Sequence, residues 1–318
     1  MPELLRPRDA AEAAEMLRAA AASGESVHPC GQASRLARRP GTRPAGRRLS
    51  VAGIDELAWL DVADQTCEVA AGMSPATLDR QLEEVGLELG VLAPGASEGT
   101  LGGLFLSQEV NLLQAAYGPA RDQVLGARWL LADGTAIRTG ARVVKSVAGY
   151  DLTRLLLGSE GRLAVCLSLT LRLRPRPARL HWRRLPYAAW LEARASLPTP
   201  RHAFTLDQGD GYLAWPDPMP AVAEGFGSCT PEKGVAALQA LLETFGSHPR
   251  RVALAAAPDH APPGPWDWSS LQVPESPTAE APTRRQEDRL LPDPNPAAWE
   301  ALQEALVPGG PHLGGPDA

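Results

Sequence analysis

The chain has 318 residues, of which 44% are hydrophobic, so it is long enough for one large or two moderate domains with a real core. Its formal net charge of -6 and its pI near 5.6 argue against a nucleic-acid partner, because phosphate binding relies on clustered Lys and Arg. No apolar run approaches the roughly 18 residues of a membrane-spanning helix, and the start lacks a secretory pattern. We therefore expect a cytoplasmic protein without a transmembrane segment.

The first elements predicted in chain order are a helix and several short strands. Asp9 followed by Glu12 indicates a capping box, which opens a helix that ends at residues 23–24. A strand at residues 26–29 then runs into a loop. Alternating stretches predict further strands at residues 48–51, 59–62 and 66–71.

A second helix is predicted to begin with Ser74 as N-cap and Pro75 at its first position. Gly86 is the expected stop. The apolar stripe of this helix is predicted to consist of Leu78, Leu82 and Val85.

Two signals follow in the middle of the chain. The segment PGASEGTLGG, residues 94–103, carries four glycines and reads as a loop that leads into a helix. Ala132-Asp133-Gly134 then joins two predicted strands, residues 124–131 and 135–139, as a hairpin.

Residues 158–173 combine a glycine-rich turn with a long alternating pattern. The turn is GSEG, residues 158–161, where glycines are needed if the chain bends sharply or if a ligand touches its backbone. The alternation predicts a strand with six aliphatic side chains on one face: Leu163, Val165, Leu167, Leu169, Leu171 and Leu173.

The sequence changes character after Pro177. The remainder is rich in Pro and Trp, with helices predicted at residues 230–246 and 295–306. A Pro-rich segment near residues 258–294 is expected to be irregular or mobile. We therefore predict a boundary that divides the chain into domains at residues 1–176 and 177–318.

Chemistry-bearing side chains give few signals by themselves. The four cysteines, at positions 30, 67, 166 and 229, form no Cys-x-x-Cys motif, and no histidine pair has metal-ligand spacing. We expect reduced thiols and no metal site. No general base combined with a carboxylate clamp is recognisable, so no catalytic residue is assigned.

Four segments carry a family resemblance: residues 99–103 (GTLGG), 121–134 (RDQVLGARWLLADG), 145–165 (KSVAGYDLTRLLLGSEGRLAV) and 171–177 (LRLRPRP). In this order the chain resembles the FAD-binding domain of the vanillyl-alcohol oxidase or p-cresol methylhydroxylase (PCMH) superfamily. It looks most like the E subunits of bacterial glycolate oxidases. The resemblance implies an α+β fold, namely a two-subdomain FAD-binding PCMH-type domain followed by a small, reduced α+β cap.

The resemblance also implies non-covalent FAD. Backbone N–H groups can hold a pyrophosphate without Lys or Arg where no Cβ blocks the approach, so an acidic protein can bind it. His28 lies in a predicted strand, before the turn, and is expected to be structural rather than a covalent flavin link. The cofactor-binding positions implied by the family motifs are Pro29, Cys30, Gly31, Gln32, Ala33, Ser34, Pro94, Thr100, Leu101, Gly102, Gly103, Gly118, Arg121, Asp122, Gly158, Gly161, Ala164 and Val165. An ion pair between Arg121 and Asp122 is at least as good an interpretation as a phosphate contact.

Two departures from the family pattern leave an alternative open. Gln32 and Ala33 stand where the family has glycines, and Gln108, Glu109 and Asn111 replace small residues near the expected flavin ring. Positive φ at the first pair would be strained. The alternative is a non-catalytic structural subunit that keeps the fold without FAD.

The function implied by the resemblance is flavin-dependent oxidation of a short 2-hydroxy acid such as glycolate. The implied partners are a larger flavoprotein subunit and an iron–sulfur subunit of a glycolate oxidase-type complex. Any association with a membrane would come through these partners.

Overall fold

The computed structural model describes residues 3–34, 46–91, 99–107, 111, 113–141, 151–159, 161–186, 202–206, 210–217, 228–229, 253–254 and 305–306. These residues form a mixed α+β protein with one parallel and two antiparallel sheets.

The first subdomain is a parallel sheet with one helix. Its elements are β1 (Leu4–Leu5), α1 (Ala10–Ser23), β2 (Val27–Cys30) and β3 (Arg47–Ser50), with strand order β1-β3-β2. Asp9 caps α1 by accepting a hydrogen bond from the Glu12 N–H at 2.8 Å, and Gly24 ends the helix with a φ of 69°. The predicted first helix is therefore confirmed, together with both of its ends.

The second subdomain is built on a six-stranded sheet. Its strands are β4 (Leu57–Asp61), β5 (Thr66–Ala70), β6 (Leu87–Leu89), β7 (Val124–Leu130), β8 (Ala136–Gly140) and β9 (Val165–Pro175), with order β4-β5-β9-β7-β8 and β6 paired to β9. Its helices are α2 (Pro75–Glu83), α3 (Leu101–Leu106), α4 (Gln114–Tyr117) and α5 (Leu152–Leu157), with 3-10 turns at Val51–Gly53 and Ala120–Gln123.

Local signals located α2 and the β7–β8 hairpin correctly. The Ser74 side chain accepts a hydrogen bond from the Thr77 N–H at 3.1 Å, and the hairpin turn contains Gly134 with a φ of 79°. Val85 corrects one detail, because it is 39% exposed and does not belong to the buried stripe of α2. The helix ends at Glu83, so Val85 lies in the turn that follows.

Strand β9 confirms the predicted buried strand but corrects its geometry. All six aliphatic residues are buried, yet they do not share one face. Arg128 lies opposite Ser168 while Trp129 lies opposite Cys166, so Leu167 is an extra residue in β9. Such a β-bulge shifts the alternation of side chains by one position.

The bulge divides β9 between two hydrophobic clusters. The first core contains Leu169 and Leu171 together with α2, α3 and Trp129. The second core contains Val165 and Leu167, which pack with Leu17 of α1 and with the parallel sheet. The bulge thereby lets one strand serve both subdomains.

A buried carboxylate, which no sequence pattern predicts, lies on the other face of the large sheet. Glu68 is 3% exposed and accepts hydrogen bonds from the Trp59 indole at 3.1 Å and the Ser168 hydroxyl at 2.9 Å. The Arg128 Nε lies 2.9 Å from the same carboxylate. Glu68 is thus paired across several strands, which is the condition under which a buried charge is tolerated.

The part of the chain after Pro175 that the structure describes is a separate antiparallel sheet. It comprises β10 (Leu180–Pro186), β11 (His202–Leu206), β12 (Asp210–Pro216), β13 (Ser228–Cys229) and β14 (Ala253–Leu254), with order β13-β10-β12-β11-β14. Ala305 and Leu306 are helical, within the second predicted C-terminal helix, and Leu306 packs against the first core. The predicted helix at 230–246 and the Pro-rich segment lie outside the described residues. The boundary at residues 176–177 stays a prediction.

No helix among the described residues is both long enough and apolar enough to cross a membrane. In the same residues, no group of three or more His, Cys, Asp or Glu side chains is placed to hold a metal ion. Cys30, Cys67 and Cys166 are free thiols, and burial raises the pKa of Cys67 to about 12. A thiol with so high a pKa stays protonated and unreactive at neutral pH.

Candidate functional site

The first candidate loop, residues 31–34, lies at the carboxyl edge of the parallel sheet. It follows β2, and Cys30 at the end of β2 is paired in register with Ser50 at the end of β3. The crevice beyond the carboxyl ends of parallel strands is where α/β sheets commonly bind ligands. The position of the loop therefore agrees with its predicted role.

Gly31 is held tightly from two sides. The Ser50 hydroxyl donates a hydrogen bond to the Gly31 carbonyl oxygen at 2.8 Å. A Cβ atom at residue 31 would lie 2.6 Å from Cγ2 of Thr100 and closer still to its Oγ1. No side chain fits at residue 31, and Gly31 joins the first loop to the second.

The backbone at Ala33 is left-handed, with a φ of 58°. The strain predicted from the absence of glycine is therefore present, and the loop keeps its turn nonetheless. Gln32 is exposed, so its side chain is not packed into the fold. Within the described part of the chain, the backbone N–H groups of Gln32 and Ala33 donate no hydrogen bond.

This turn suits an anionic ligand that is held by backbone alone. Successive N–H groups around a left-handed residue form concave anion-binding nests. Residues 29–34 carry no Lys, Arg, Asp or Glu, and burial raises the pKa of the Cys30 thiol, which keeps it neutral. Such a turn offers a diphosphate backbone hydrogen-bond donors without a nearby negative charge.

The backbone donors of the second loop, which were predicted to bind a pyrophosphate, form hydrogen bonds within the protein. Leu101 and Gly102 donate their N–H groups to the carbonyl oxygens of Met73 and Ala71, both at 2.8 Å. Gly103 donates to the hydroxyl of Thr100, the N-cap of α3, at 3.2 Å. These donors were expected to meet a pyrophosphate. Instead, Leu101 and Gly102 connect α3 to the residues that follow β5, and Gly103 takes part in the cap of α3.

Close packing against Ala71 explains why residue 102 is glycine. A Cβ atom there would lie 3.0 Å from the Ala71 Cβ and 3.1 Å from the Ala71 carbonyl oxygen. A change of Gly102 to valine would therefore push α3 away from the end of β5 and disturb the fold. It would not report on the ligand alone.

Gly161 of the third loop, residues 158–161, lies beside Pro29 of β2, just before the first loop. Gly161 has a φ of 86° and is buried, and a Cβ atom on it would lie 3.4 Å from the Cβ of Pro29. Gly158 has a φ of -76° and ends α5, so it does not need to be glycine for its backbone angle. Ala164 and Val165 follow and are buried in the two cores.

The remaining predicted residues form a structural support beside these loops. Gly118 has a φ of 76°, and its carbonyl oxygen accepts a hydrogen bond from the Asn111 side chain at 2.9 Å. Asp122 lies 3.2 Å from Nη2 of Arg154 and 3.9 Å from Nε of Arg121. Asp122 is thus paired mainly with Arg154 of α5, and Arg121 is the longer contact.

Of the residues that depart from the family pattern near the expected flavin ring, the structure describes Asn111. Asn111 is 1% exposed, and its amide also donates to the Gly90 carbonyl oxygen at 3.1 Å, so it stabilises the fold. Gln108, Glu109 and Pro94 lie outside the described residues. Sequence reasoning missed Ser50, Ala71, Met73 and Arg154, because their contacts depend on strand register or tertiary packing.

The left-handed backbone of Ala33 predicts that glycine at this position stabilises the protein. Ala33→Gly is expected to raise the free energy of unfolding by about 1 kcal/mol, because glycine adopts a left-handed backbone without cost from a Cβ. Gln65 is the matched control, with a φ of 52° in the β4–β5 turn. Gln65→Gly should give a similar gain in a denaturant titration.

Valine variants distinguish an effect on FAD binding from an effect on stability. Ala33→Val and Gln65→Val should both lower stability, since branched residues disfavour positive φ. Only Ala33→Val should also weaken FAD binding in a fluorescence titration. Equal FAD affinity in the two valine variants would contradict the assignment of the first loop to the ligand.

Comparisons with known proteins agree with this geometry. Residues 2–140 match the sequence family described as FAD binding domain. Over 171 residues the chain is 33% identical to an uncharacterised FAD-linked oxidoreductase of Mycobacterium tuberculosis, covering 54% of this chain and 37% of that protein. It is 30% identical over 178 residues to glycolate oxidase subunit GlcD of Bacillus subtilis, covering 56% and 38%. It is 34% identical over 118 residues to subunit GlcE of Escherichia coli, covering 37% and 34%.

A solved structure of alkyldihydroxyacetonephosphate synthase shares the fold, with a TM-score of 0.53 at 19% identity over 63% of this chain and 38% of that one. The matches cover between 34% and 38% of these relatives' lengths. The predicted PCMH-type fold is confirmed, and residues 2–140 are similar in sequence to the FAD binding domain family.

Proposed function

We propose that this chain is the FAD-binding subunit of a flavin-dependent oxidoreductase that acts on a short 2-hydroxy acid such as glycolate. The observation that carries the proposal is the convergence of three loops, far apart in sequence, around Gly31. Thr100 contacts Gly31 from one loop, and Gly161 contacts Pro29 from another. The matches to two glycolate oxidase subunits support the substrate class.

Each loop has a separate task in this proposal. The N–H groups of residues 31–34 hold the pyrophosphate. Thr100 fixes Gly31 and caps α3, and residues 101–103 hold this support against β5. Bound flavin supplies the acceptor for hydride from the substrate α-carbon, while the protein supplies its orientation.

The other candidate positions act around these loops. The turn of Gly158 and Gly161, with Ala164 and Val165 after it, passes beside the cofactor. Gly118, Arg121 and Asp122 belong to the supporting segment, which Arg154 anchors to α5. Pro94 belongs to the second loop by its family motif.

The proposed enzyme needs partner subunits. The described residues contain no group of His, Cys, Asp or Glu side chains that would hold a metal for substrate binding. The matches to GlcD and GlcE support a complex with a larger flavoprotein subunit. We propose that this complex is cytoplasmic. An iron–sulfur subunit would carry electrons onward.

The alternative of a structural subunit without FAD is not favoured. It required side chains such as Gln32 to fill the cofactor volume, whereas Gln32 is exposed. Asn111 is likewise engaged with the backbone of Gly90 and Gly118.

Activity measurements test the subunit role. The purified chain with FAD should not oxidise glycolate or lactate with an artificial dye as acceptor, and addition of the larger flavoprotein subunit should restore turnover. Dye reduction by the isolated chain at the rate of the complex would contradict the need for a partner. No turnover with any short 2-hydroxy acid in the reconstituted complex would contradict the substrate class.

A further inference from the structure

Ser50 controls the first loop from outside it. Its hydroxyl donates to the Gly31 carbonyl oxygen at 2.8 Å, and Ser50 itself is only 7% exposed. The parallel register of β2 and β3 pairs Cys30 with Ser50. The contact is therefore fixed by two strands, whereas Gln32 in the loop itself is exposed.

The peptide bond between Gly31 and Gln32 links this contact to the ligand side. In a planar trans peptide the carbonyl and the N–H point in opposite directions. With its carbonyl held by Ser50, this peptide directs the Gln32 N–H away from β3. A glycine peptide has little steric preference of its own, so the hydrogen bond decides its orientation.

We propose that Ser50 is a positioning residue for FAD: it holds the Gly31–Gln32 peptide in the orientation that presents the Gln32 N–H to the pyrophosphate. This inference rests on the proposed function of the first loop. The left-handed backbone of Ala33, with a φ of 58°, is typical of backbone nests that bind anions. Ser50 contacts the first loop through the Gly31 carbonyl oxygen and acts on the ligand through that loop.

A positioning role of Ser50 predicts a selective effect on ligand affinity, which a general structural role does not. Loss of the Ser50 hydroxyl should weaken only ligands with a pyrophosphate. FAD and ADP contain this group, whereas riboflavin does not. Ser50 also accepts a long 3.4 Å hydrogen bond from the Ala52 N–H, so a loss of local stability alone would affect all three ligands.

The experiment measures the dissociation constants of FAD, ADP and riboflavin for the full chain and its variants by calorimetry. Ser50→Ala should weaken FAD and ADP about tenfold, the value of one hydrogen bond near 1.4 kcal/mol, and leave riboflavin within about twofold. Ser50→Thr keeps the hydroxyl and should restore both affinities. Circular dichroism establishes that each variant is folded, and the threonine variant decides the outcome if alanine unfolds the chain.

Ser107→Ala is the matched control. The Ser107 hydroxyl also donates to a backbone carbonyl, that of Gly103 at 2.7 Å, but this bond lies within the end of α3. Its removal should change none of the three affinities by more than about twofold.

The possible failures are distinguishable. Wild-type protein that binds neither FAD nor ADP would overturn the proposed function and this inference with it. Tight FAD binding by wild type that Ser50→Ala leaves unchanged would overturn the role of Ser50 only. Equal weakening of FAD and riboflavin by Ser50→Ala would also overturn it, as would a threonine variant as weak as alanine.

Discussion

Gly31→Ala is expected to weaken FAD binding by about ten- to a hundredfold, corresponding to the 1–3 kcal/mol that overpacking costs. The new Cβ would overlap the Thr100 side chain, which is 2% exposed and has no free space to move into. The first and second loops would separate, and the N–H groups of the first loop would lose their position. A fluorescence titration with FAD measures the loss.

Two further variants make this result specific. Gly53→Ala is the control, because a Cβ atom at that position would lie at an ordinary 3.5 Å from the Pro7 carbonyl oxygen. It should leave FAD affinity unchanged. Thr100→Ala in the Gly31→Ala background removes the two closest atoms, Oγ1 and Cγ2, and should recover part of the affinity, although the α3 cap is lost. A double variant that binds FAD no better than Gly31→Ala would contradict the proposed contact.

Leu171→Asp is expected to unfold the protein at room temperature. Leu171 is 0% exposed in the central strand β9 and belongs to the first core. An unpaired carboxylate at this position would lose its hydration and leave a poorly filled core, with a cost of more than about 4 kcal/mol. Thermal unfolding followed by circular dichroism measures the effect.

Arg172→Asp is the matched control for this prediction. It introduces the same side chain one residue later, where Arg172 is partly exposed. The loss of stability should be about 1 kcal/mol or less, since solvent remains accessible. Similar melting temperatures for the two variants would contradict the assignment of the β9 faces.

Sequence predicted the elements whose signals are local. The caps at Asp9 and Ser74 and the turn at Gly134 satisfy backbone groups within four residues, so they can be recognised without the fold. The bulge at Leu167 has no such signal, because the alternation in the sequence continues through it. Its position is set by the pairing of β9 with β7.

Sequence motifs identified individual loops of the candidate site but not the contacts between them. The motifs GTLGG and GSEG identified two loops by resemblance, but not that Gly102 contacts Ala71 or that Gly161 contacts Pro29. Ser50 lies in a strand without any motif, and its contact with Gly31 follows from the register of parallel strands. Hydrogen bonds of this kind depend on tertiary structure, which the spacing of residues in one chain does not encode directly.

The visible absorbance spectrum of the purified chain tests the central claim most directly. After incubation with FAD and removal of free ligand, the protein should retain the flavin bands at near-stoichiometric intensity, and FAD should raise the melting temperature, because it binds the folded state. A colourless protein whose melting temperature does not respond to FAD would contradict the account.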